Sequence, residues 1–306
     1  VPPPAEHLPG HAWYEAAELI FPPGGDRSPD WISTRRLGLG GSDVAAVLGL
    51  SPFATPLRVY LDKLGRVDPL ELTEEMEWGI RLEDAVAQKF ADETGLQIAR
   101  TGMWRSRRWP WLLANPDRAI RGQSAGLECK TADMRYLPDW ADEPPLHYVV
   151  QCVTYMAVTG ARRWYLAALV GGNHWFVYTI DRDDDDIAAI VETTRRFWDL
   201  NLNRQVPPRV QRPAARAEER LLALLYPDPD GEAIQLTAEQ RELVAEHKRV
   251  TSHRGELDKQ ATALAAQIKQ FLGTKTFGYA GTRKAVSWPA RKDGVRVLNN
   301  HWKEQD

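Results

Sequence analysis

An Asn-Pro-Asp triplet (Asn115, Pro116, Asp117) is followed, after a ten-residue gap, by Glu128-Cys129-Lys130. The flanks, residues 111–120 (WLLANPDRAI) and 127–132 (LECKTA), read as extended, and 121–126 (RGQSAG) reads as a turn between them. Pro116 restricts the residue before it and fits a strand edge or bulge. Side chains two apart on a strand leave the same face. Glu128 and Lys130 therefore project together, while Leu127 and Cys129 turn to the opposite face, toward a core. The returning hairpin brings Asp117 beside them, so the chain must build a sheet around this element.

Most of what surrounds the hairpin reads as helix. Residues 74–94 form a strong helix that stops before Gly95. Glu83 sits on it among Gly79, Ile80, Val86, Ala87 and, one turn on, Phe90. A glutamate on an apolar face is costly to bury, so it is either paired with a cation or bound to metal. Residues 146–159 form an apolar helix, closed by Gly160, that carries Gln151. Residues 163–170 and 174–180 form a hairpin around Gly-Gly-Asn. Asp183–Asp186 opens a helix reaching about Asn203, where its charge suits the helix dipole. Residues 96–105 read as extended, 56–65 as a helix ending at Gly65, and 1–30 as a Pro- and Gly-rich irregular arm. RRLGLGGSDVAAVLGL (35–50) reads as a basic, Gly-rich segment leading into a short helix, with Ser42 as N-cap and Asp43 in the first turn. The fold class expected is α/β, a mixed central sheet with flanking helices.

A Pro-rich linker at 204–213 separates a core, 1–210, from a C-terminal extension, 211–306. In the extension, Thr237 and Gln240 form a capping box. Leu243, His247, Val250, Arg254, Leu257, Ala261, Leu264, Ile268 and Phe271 then follow steps of four and three. That is a coiled-coil-like seam, on either one long arm or a broken hairpin. TKTFGY, KAVSWP and VRVL suggest a small basic β-meander after it. Residues 1–205 carry 22 basic against 29 acidic side chains, whereas 269–303 carry eight basic and one acidic. A basic tail points to a polyanionic partner and an acidic body can hold metal. Phe277, Tyr279 and Trp288, interleaved with the basic residues, are expected in the core of the small β unit.

With 43% hydrophobic and 26% charged residues, wholesale disorder is excluded. No apolar run approaches the ~18 residues of a membrane span, and residues 1–13 lack a signal-peptide layout. Two cysteines are too few for a disulfide scaffold, a four-cysteine zinc site or an iron–sulfur cluster. A cytoplasmic setting is expected.

Carboxylates Glu83, Asp117 and Glu128 beside Lys130 suit a hard cation, since Mg²⁺ takes a few carboxylate oxygens and keeps several waters. Phosphodiester hydrolysis needs such a metal to stabilise phosphoryl charge and acidify a water. A neighbouring lysine can orient that water or stabilise developing charge. Pro-Asp followed by Glu-x-Lys is the signature of PD-(D/E)xK nucleases. The surroundings resemble the YqaJ-type, lambda-type phage exonucleases in five pieces taken in order: RRLGLGGSDVAAVLG, WGIRLEDAVAQKF, NPDRAI, GLECKT and HYVVQCVTYMAVTG, over about residues 31–160.

The resemblance implies a Mg²⁺-dependent 5′-to-3′ exonuclease on linear double-stranded DNA, with Mn²⁺ as a possible substitute, leaving 3′ overhangs for recombination. It implies Glu83, Asp117 and Glu128 as metal ligands, Lys130 as the catalytic lysine, and Gln151 near the scissile phosphate. Ser42 with Arg36, or Arg35 in its place, would grip the terminal 5′ phosphate, as a basic, Gly-rich helix start suits an anion. The family's usual Pro-Asp-Gly is Pro-Asp-Arg here, so Arg118 either alters the local backbone or itself reaches DNA. A single-strand annealing protein as partner and a trimeric ring follow from the same resemblance. The competing expectations are another PD-(D/E)xK endonuclease with a coiled-coil arm, and a non-catalytic DNA-binding or assembly protein on the same fold.

Overall fold

The structure, a computed structural model, describes residues 12–24, 28–210 and 215–302. The chain divides into two compact units, Val1–Asp228 and Pro229–Asp306. In the first, the elements are α1 (Ala12–Ala16), β1 (Ala17–Phe21), α2 (Pro29–Arg35), α3 (Gly41–Val47), α4 (Pro56–Lys63), α5 (Glu74–Thr94), β2 (Ile98–Arg100), β3 (Met103–Ser106), β4 (Leu113–Ala114), β5 (Arg118–Ile120), β6 (Ala125–Ala132), α6 (Leu146–Thr159), β7 (Arg163–Val170), β8 (His174–Asp181), α7 (Asp184–Arg196) and α8 (Ala215–Leu225). A 3₁₀ stretch, Met134–Trp140, precedes α6, and a π-helical stretch, Phe197–Asn203, continues α7. Among the described residues no helix is long and apolar enough to cross a membrane.

The central sheet has the order β2-β5-β6-β7-β8. Strands β6 and β7 are parallel and every other pair is antiparallel, so the sheet is mixed, as expected. The parallel pair requires a crossover, and α6 supplies it. On one face, Val86, Ala87 and Phe90 of α5 pack against Leu127 and Cys129 of β6. On the other, α6 packs with Trp164, Leu166, Ala168 and Val170 of β7 and with α3. Leu127 and Cys129 thus face the core, as the strand period requires. Helices α5 and α6 end at Gly95 and Gly160, where the sequence places their ends.

Three local expectations change. Residues 96–105 and 111–120 are not single strands. Each splits between the central sheet and a second sheet, β1-β3-β4, and the chain passes between them at Asn115-Pro116-Asp117. Pro116 has no N–H to give to a ladder, so pairing breaks there. Part of the arm assigned to 1–30 is regular: β1 joins the second sheet, and Ser28 caps α2 by accepting from Trp31 N at 3.2 Å. Ser42 is not an N-cap. Helix α3 begins at Gly41 after Gly40, whose N–H donates to Asp43 Oδ2 at 2.9 Å.

The division between units falls beyond the Pro-rich stretch at 204–213. Helix α8 stays with the first unit, in contact with α4, and Leu221, Leu222 and Leu225 pack on its core.

In the second unit, α9 (Ala238–Leu272) is one continuous helix of 35 residues, which settles the choice between arm and broken hairpin. Both halves of its capping box form between Thr237 and Gln240. Strands β9 (Phe277–Ala280), β10 (Arg283–Ser287) and β11 (Asn299–Asn300) make an antiparallel sheet in the order β11-β10-β9. The third strand lies just past VRVL. That segment instead forms a bridge between Ala290 and Arg296.

Candidate active site

Strand β6 carries Glu128, which is almost fully buried, and Lys130, which is 20% exposed. Lys130 Nζ reaches Glu128 Oε1 at 2.5 Å, so the predicted shared face is real. Gln151, one turn into α6, donates from Nε2 to the same oxygen at 2.6 Å and also lies 2.7 Å from the Tyr155 hydroxyl. Tyr155 in turn donates to the Asn115 carbonyl at 3.2 Å, tying α6 to the loop that presents Asp117. This close seating depends on Gly41. A Cβ there would stand 2.6 Å from Gln151 Cγ and 3.1 Å from its backbone, so any other residue would push α3 off α6.

Asp117 closes the hairpin. Its Oδ2 accepts from Cys129 N at 2.7 Å, across the β5–β6 pair. Burial pushes its carboxyl well above the usual carboxylate range, and the negative charges of Glu128 and Glu83 push it further. Burial also raises Glu128, although Lys130 and Gln151 pull it back. Burial opposes the Lys130 charge, but Glu128 and Asp117 outweigh it and hold the ammonium protonated.

Asp117, Glu128, Gln151 and Tyr155 line a cavity of about 230 Å³ whose other wall holds Arg35 and Ser42. Arg35, not Arg36, faces it. Arg35 Nη2 lies 3.3 Å from Ser42 Oγ and 2.8 Å from Asp43 Oδ1. Arg36 turns away to Asp62, at 3.4 Å, and to the Val67 carbonyl, at 3.1 Å. Behind Arg35, the buried Lys63 bonds Asp43 Oδ2 at 2.7 Å and the Arg35 carbonyl at 2.9 Å. Two cations against one carboxylate leave this wall net positive. The helix start expected to cradle an anion is already occupied by Asp43, so Arg35 and the Ser42 hydroxyl are what remains for one.

Glu83 and Arg118 depart from the expected arrangement. Arg118, 4% exposed, donates from Nη1 to Glu83 Oε1 at 2.6 Å and from Nη2 to Asp84 Oδ1 at 2.5 Å. Its guanidinium is taken up by α5 and by the Asp117 carbonyl. Glu83 lies on the helix covering the opposite sheet face from Glu128, and its carboxylate is held by that guanidinium. Among the described residues no set of three or more His, Cys, Asp or Glu side chains converges as a metal cage.

Two carboxylates nevertheless fit a hard cation. Glu128 Oε2 is buried without a hydrogen-bond partner, and Asp117 stands next to it with its charge disfavoured. An orphaned carboxylate oxygen beside a second carboxyl is a donor set that a divalent cation satisfies, with water supplying the rest. Sequence reasoning missed Lys63, Asp43 as a structural anchor, and Tyr155. Lys63 carries no local signal, but Tyr155 lies four residues after Gln151 on one helix face and was recoverable from that spacing.

The "Uncharacterized protein YqaJ" of Bacillus subtilis (strain 168) is 36% identical to this chain over 266 residues, covering 85% of the chain and 83% of that relative. The chain belongs to the YqaJ family. The YqaJ-like viral recombinase domain matches residues 30–162. That span holds every wall of the cavity, from Trp31 to Tyr155, so the candidate site lies within the YqaJ domain. Among solved structures, an alkaline exonuclease (LHK-Exo) from Laribacter hongkongensis gives a TM-score of 0.49 at 20% identity, over 65% of this chain and 100% of that one. A phage related exonuclease from Haemophilus somnus 129PT gives 0.44 at 12% identity, over 57% and 99%.

Proposed function

We propose that this YqaJ-family chain is a metal-dependent deoxyribonuclease that degrades linear duplex DNA from its 5′ ends and leaves 3′ single-stranded overhangs for recombination. The observation that carries the reading is the cavity in which Asp117, Gln151 and Glu128, the last bonded to Lys130, face Arg35 and Ser42. One wall suits hydrolysis and the other suits an anion.

Asp117 and Glu128 would hold Mg²⁺, or Mn²⁺ in its place. Such an ion supplies Lewis acidity toward a phosphoryl oxygen and lowers the pKa of a bound water. Lys130, kept protonated, can hold a water for attack and stabilise charge developing on the phosphate oxygens. Gln151 fixes the Glu128 carboxylate by its 2.6 Å bond to Oε1 and leaves Oε2 without a partner. Arg35 with Ser42 would bind a terminal 5′ phosphate, whose extra charge separates it from an internal diester. Glu83, through Arg118, would act on the field of the site from behind the sheet.

A single-strand annealing protein as partner, a trimeric ring and a cytoplasmic location belong to the same reading and rest on the family resemblance. The test is digestion of end-labelled linear duplex with Mg²⁺ and with EDTA, comparing 5′-phosphate with 5′-hydroxyl ends and linear with covalently closed DNA. The reading expects loss of label from linear DNA only, in Mg²⁺ only, and faster from phosphorylated ends. Cleavage of closed circles would favour an endonuclease. Binding without cleavage would favour a non-catalytic role.

A further inference from the structure

The C-terminal sheet does not bury its aromatic residues in the way its sequence suggests. Trp288 is partly covered, with the Arg296 guanidinium 3.7 Å above its ring. Phe277 and Tyr279, in contrast, are 50% and 63% exposed. They stand two apart on β9, so they share a face. The residue between them, Gly278, is the inward one. A Cβ there would meet Val286 Cγ1 at 2.8 Å and Leu272 Cδ2 at 3.3 Å, so the sheet can close on the end of α9 only with glycine at this point. Phe277 and Tyr279 must then face out.

The same outward face is cationic. Lys284 is the cross-strand partner of Tyr279, and its Nζ lies 5.6 Å over the Phe277 ring. Lys275, Arg291 and Lys292 are also exposed, whereas Arg283, the partner of Ala280, turns to the other face. Arg296 is not part of this set, since its guanidinium donates to the carbonyls of Trp288, Gly273 and Lys275. Lysines alone would attract any polyanion. Exposed rings add something only where bases are free to stack on them, which a closed duplex does not offer. Strand residues two apart are separated by about 6.8 Å, roughly twice the per-strand rise of stacked duplex DNA, ~3.4 Å. Two bases held on these rings are therefore drawn out of duplex stacking.

We propose that the outer face of this sheet binds single-stranded DNA, with Phe277 and Tyr279 stacking on two successive bases and Lys284 and Lys275 holding the flanking phosphates. The site is distinct from the nuclease cavity and does not depend on cleavage.

The test is fluorescence anisotropy of the full chain in EDTA, with labelled oligo(dT) and a duplex of equal length, across a salt series. Replacing both rings, Phe277→Ala with Tyr279→Ala, is expected to weaken oligo(dT) binding by about tenfold or more while changing duplex binding less than about twofold, since stacking contributes ~1–3 kcal/mol per base. The pair Phe277→Trp and Tyr279→Trp keeps both rings and is expected to retain the affinity. Lys284→Ala is expected to flatten the salt dependence on oligo(dT) by about 0.7 per lost contact. Unchanged oligo(dT) binding in the double alanine variant overturns the proposal. So does an equal loss on duplex, which would make the face a general phosphate patch, or loss of binding in the tryptophan pair.

Discussion

Gln151 Nε2 and Glu128 Oε1 lie 2.6 Å apart, and Lys130 Nζ reaches that same oxygen at 2.5 Å. Two donors therefore converge on one carboxylate oxygen and leave Oε2 buried without a partner. The carboxylate is fixed in direction, and Oε2 is the oxygen whose bonding capacity is left over.

Lys130→Ala should remove turnover while sparing binding. The ammonium sits on the same strand face as Glu128, where it can act on a nucleophile or on developing charge. Loss of one such group costs about 10²-fold or more in rate. DNA affinity measured in EDTA is expected to stay within a few-fold of the parent chain. Single-turnover rates on a labelled duplex read the first effect and anisotropy the second. A variant that cuts at the parent rate would remove Lys130 from the mechanism.

Asp117→Asn should stabilise the metal-free protein and inactivate it. Because burial, Glu128 and Glu83 raise its folded pKa, the folded state holds this proton more tightly than the unfolded chain does. The sign follows. The group costs no stability below its unfolded value of about 3.9, and the cost accumulates as pH rises from there through the raised folded value. At neutral pH an uncharged amide removes the penalty and can still accept from Cys129 N. Each kcal/mol relieved raises the thermal midpoint by roughly 2–4 °C. Scanning calorimetry in EDTA at pH 7 should show the rise, and at pH 4 little of it. Addition of Mg²⁺ should stabilise the parent chain and not the variant.

Arg35 and Arg36 should separate cleanly. Arg35 faces the cavity beside Ser42, whereas Arg36 ties α2 to Asp62 and the Val67 carbonyl. Arg35→Ala is expected to abolish any preference for 5′-phosphate over 5′-hydroxyl ends. Arg36→Ala should keep that preference and lower the thermal midpoint instead. Competition digests with the two end chemistries decide it, and the reverse pattern would return the phosphate contact to Arg36.

The sheet, the long helices and the Glu128–Lys130 pair were legible because strand period, helix period and glycine stops are local signals, whereas Gln151 was placed beside them by the family resemblance alone. Arg35 against Arg36 was not. Adjacent arginines are equivalent in sequence, and the choice is made by Lys63 and Asp43, which hold the end of α2 through contacts distant along the chain. Glu83 shows the same limit. Its helix position was readable, but its pairing with Arg118 depends on β5 lying beside α5, and the sequence left paired and metal-bound as equal choices. Phe277 and Tyr279 read as core because aromatic alternation looks the same on a covered and an uncovered sheet face.

Asp43 supplies a fourth prediction. Arg35 and Lys63 outweigh the cost of its burial and hold its carboxyl below the usual range. A depressed carboxylate contributes stability above its unfolded pKa, and that contribution is lost as pH falls through the folded value. Asp43→Asn leaves the buried Lys63 ammonium facing a neutral amide, and breaking a buried pair from one side costs about 3 kcal/mol or more. Urea unfolding at pH 7 should show that loss, and the gap to the parent chain should narrow on acidification below about pH 4. A gap that stays constant with pH would mean that Asp43 acts through packing alone.

Truncation provides the last prediction, and the structure moves its position. A cut at the Pro-rich stretch, after Pro213, removes α8 along with the rest of the C-terminal region. Yet α8 belongs to the first unit and rests on α4, with Leu221, Leu222 and Leu225 packed on the main core. A fully buried leucine contributes about 1.5–3 kcal/mol. Three half-buried ones therefore represent several kcal/mol, a large share of the stability of an ordinary domain. A chain ending at Asp228 keeps them and cuts where the two units divide. That chain is expected to unfold cooperatively near the midpoint of the parent's first unit and to cleave linear duplex, having lost only the C-terminal unit's contribution to single-strand binding. The chain ending at Pro213 should unfold several degrees lower and expose apolar surface to a hydrophobic dye. Calorimetry and dye binding on the two truncations decide the matter. Equal midpoints would show that α8 lies on the core without stabilising it.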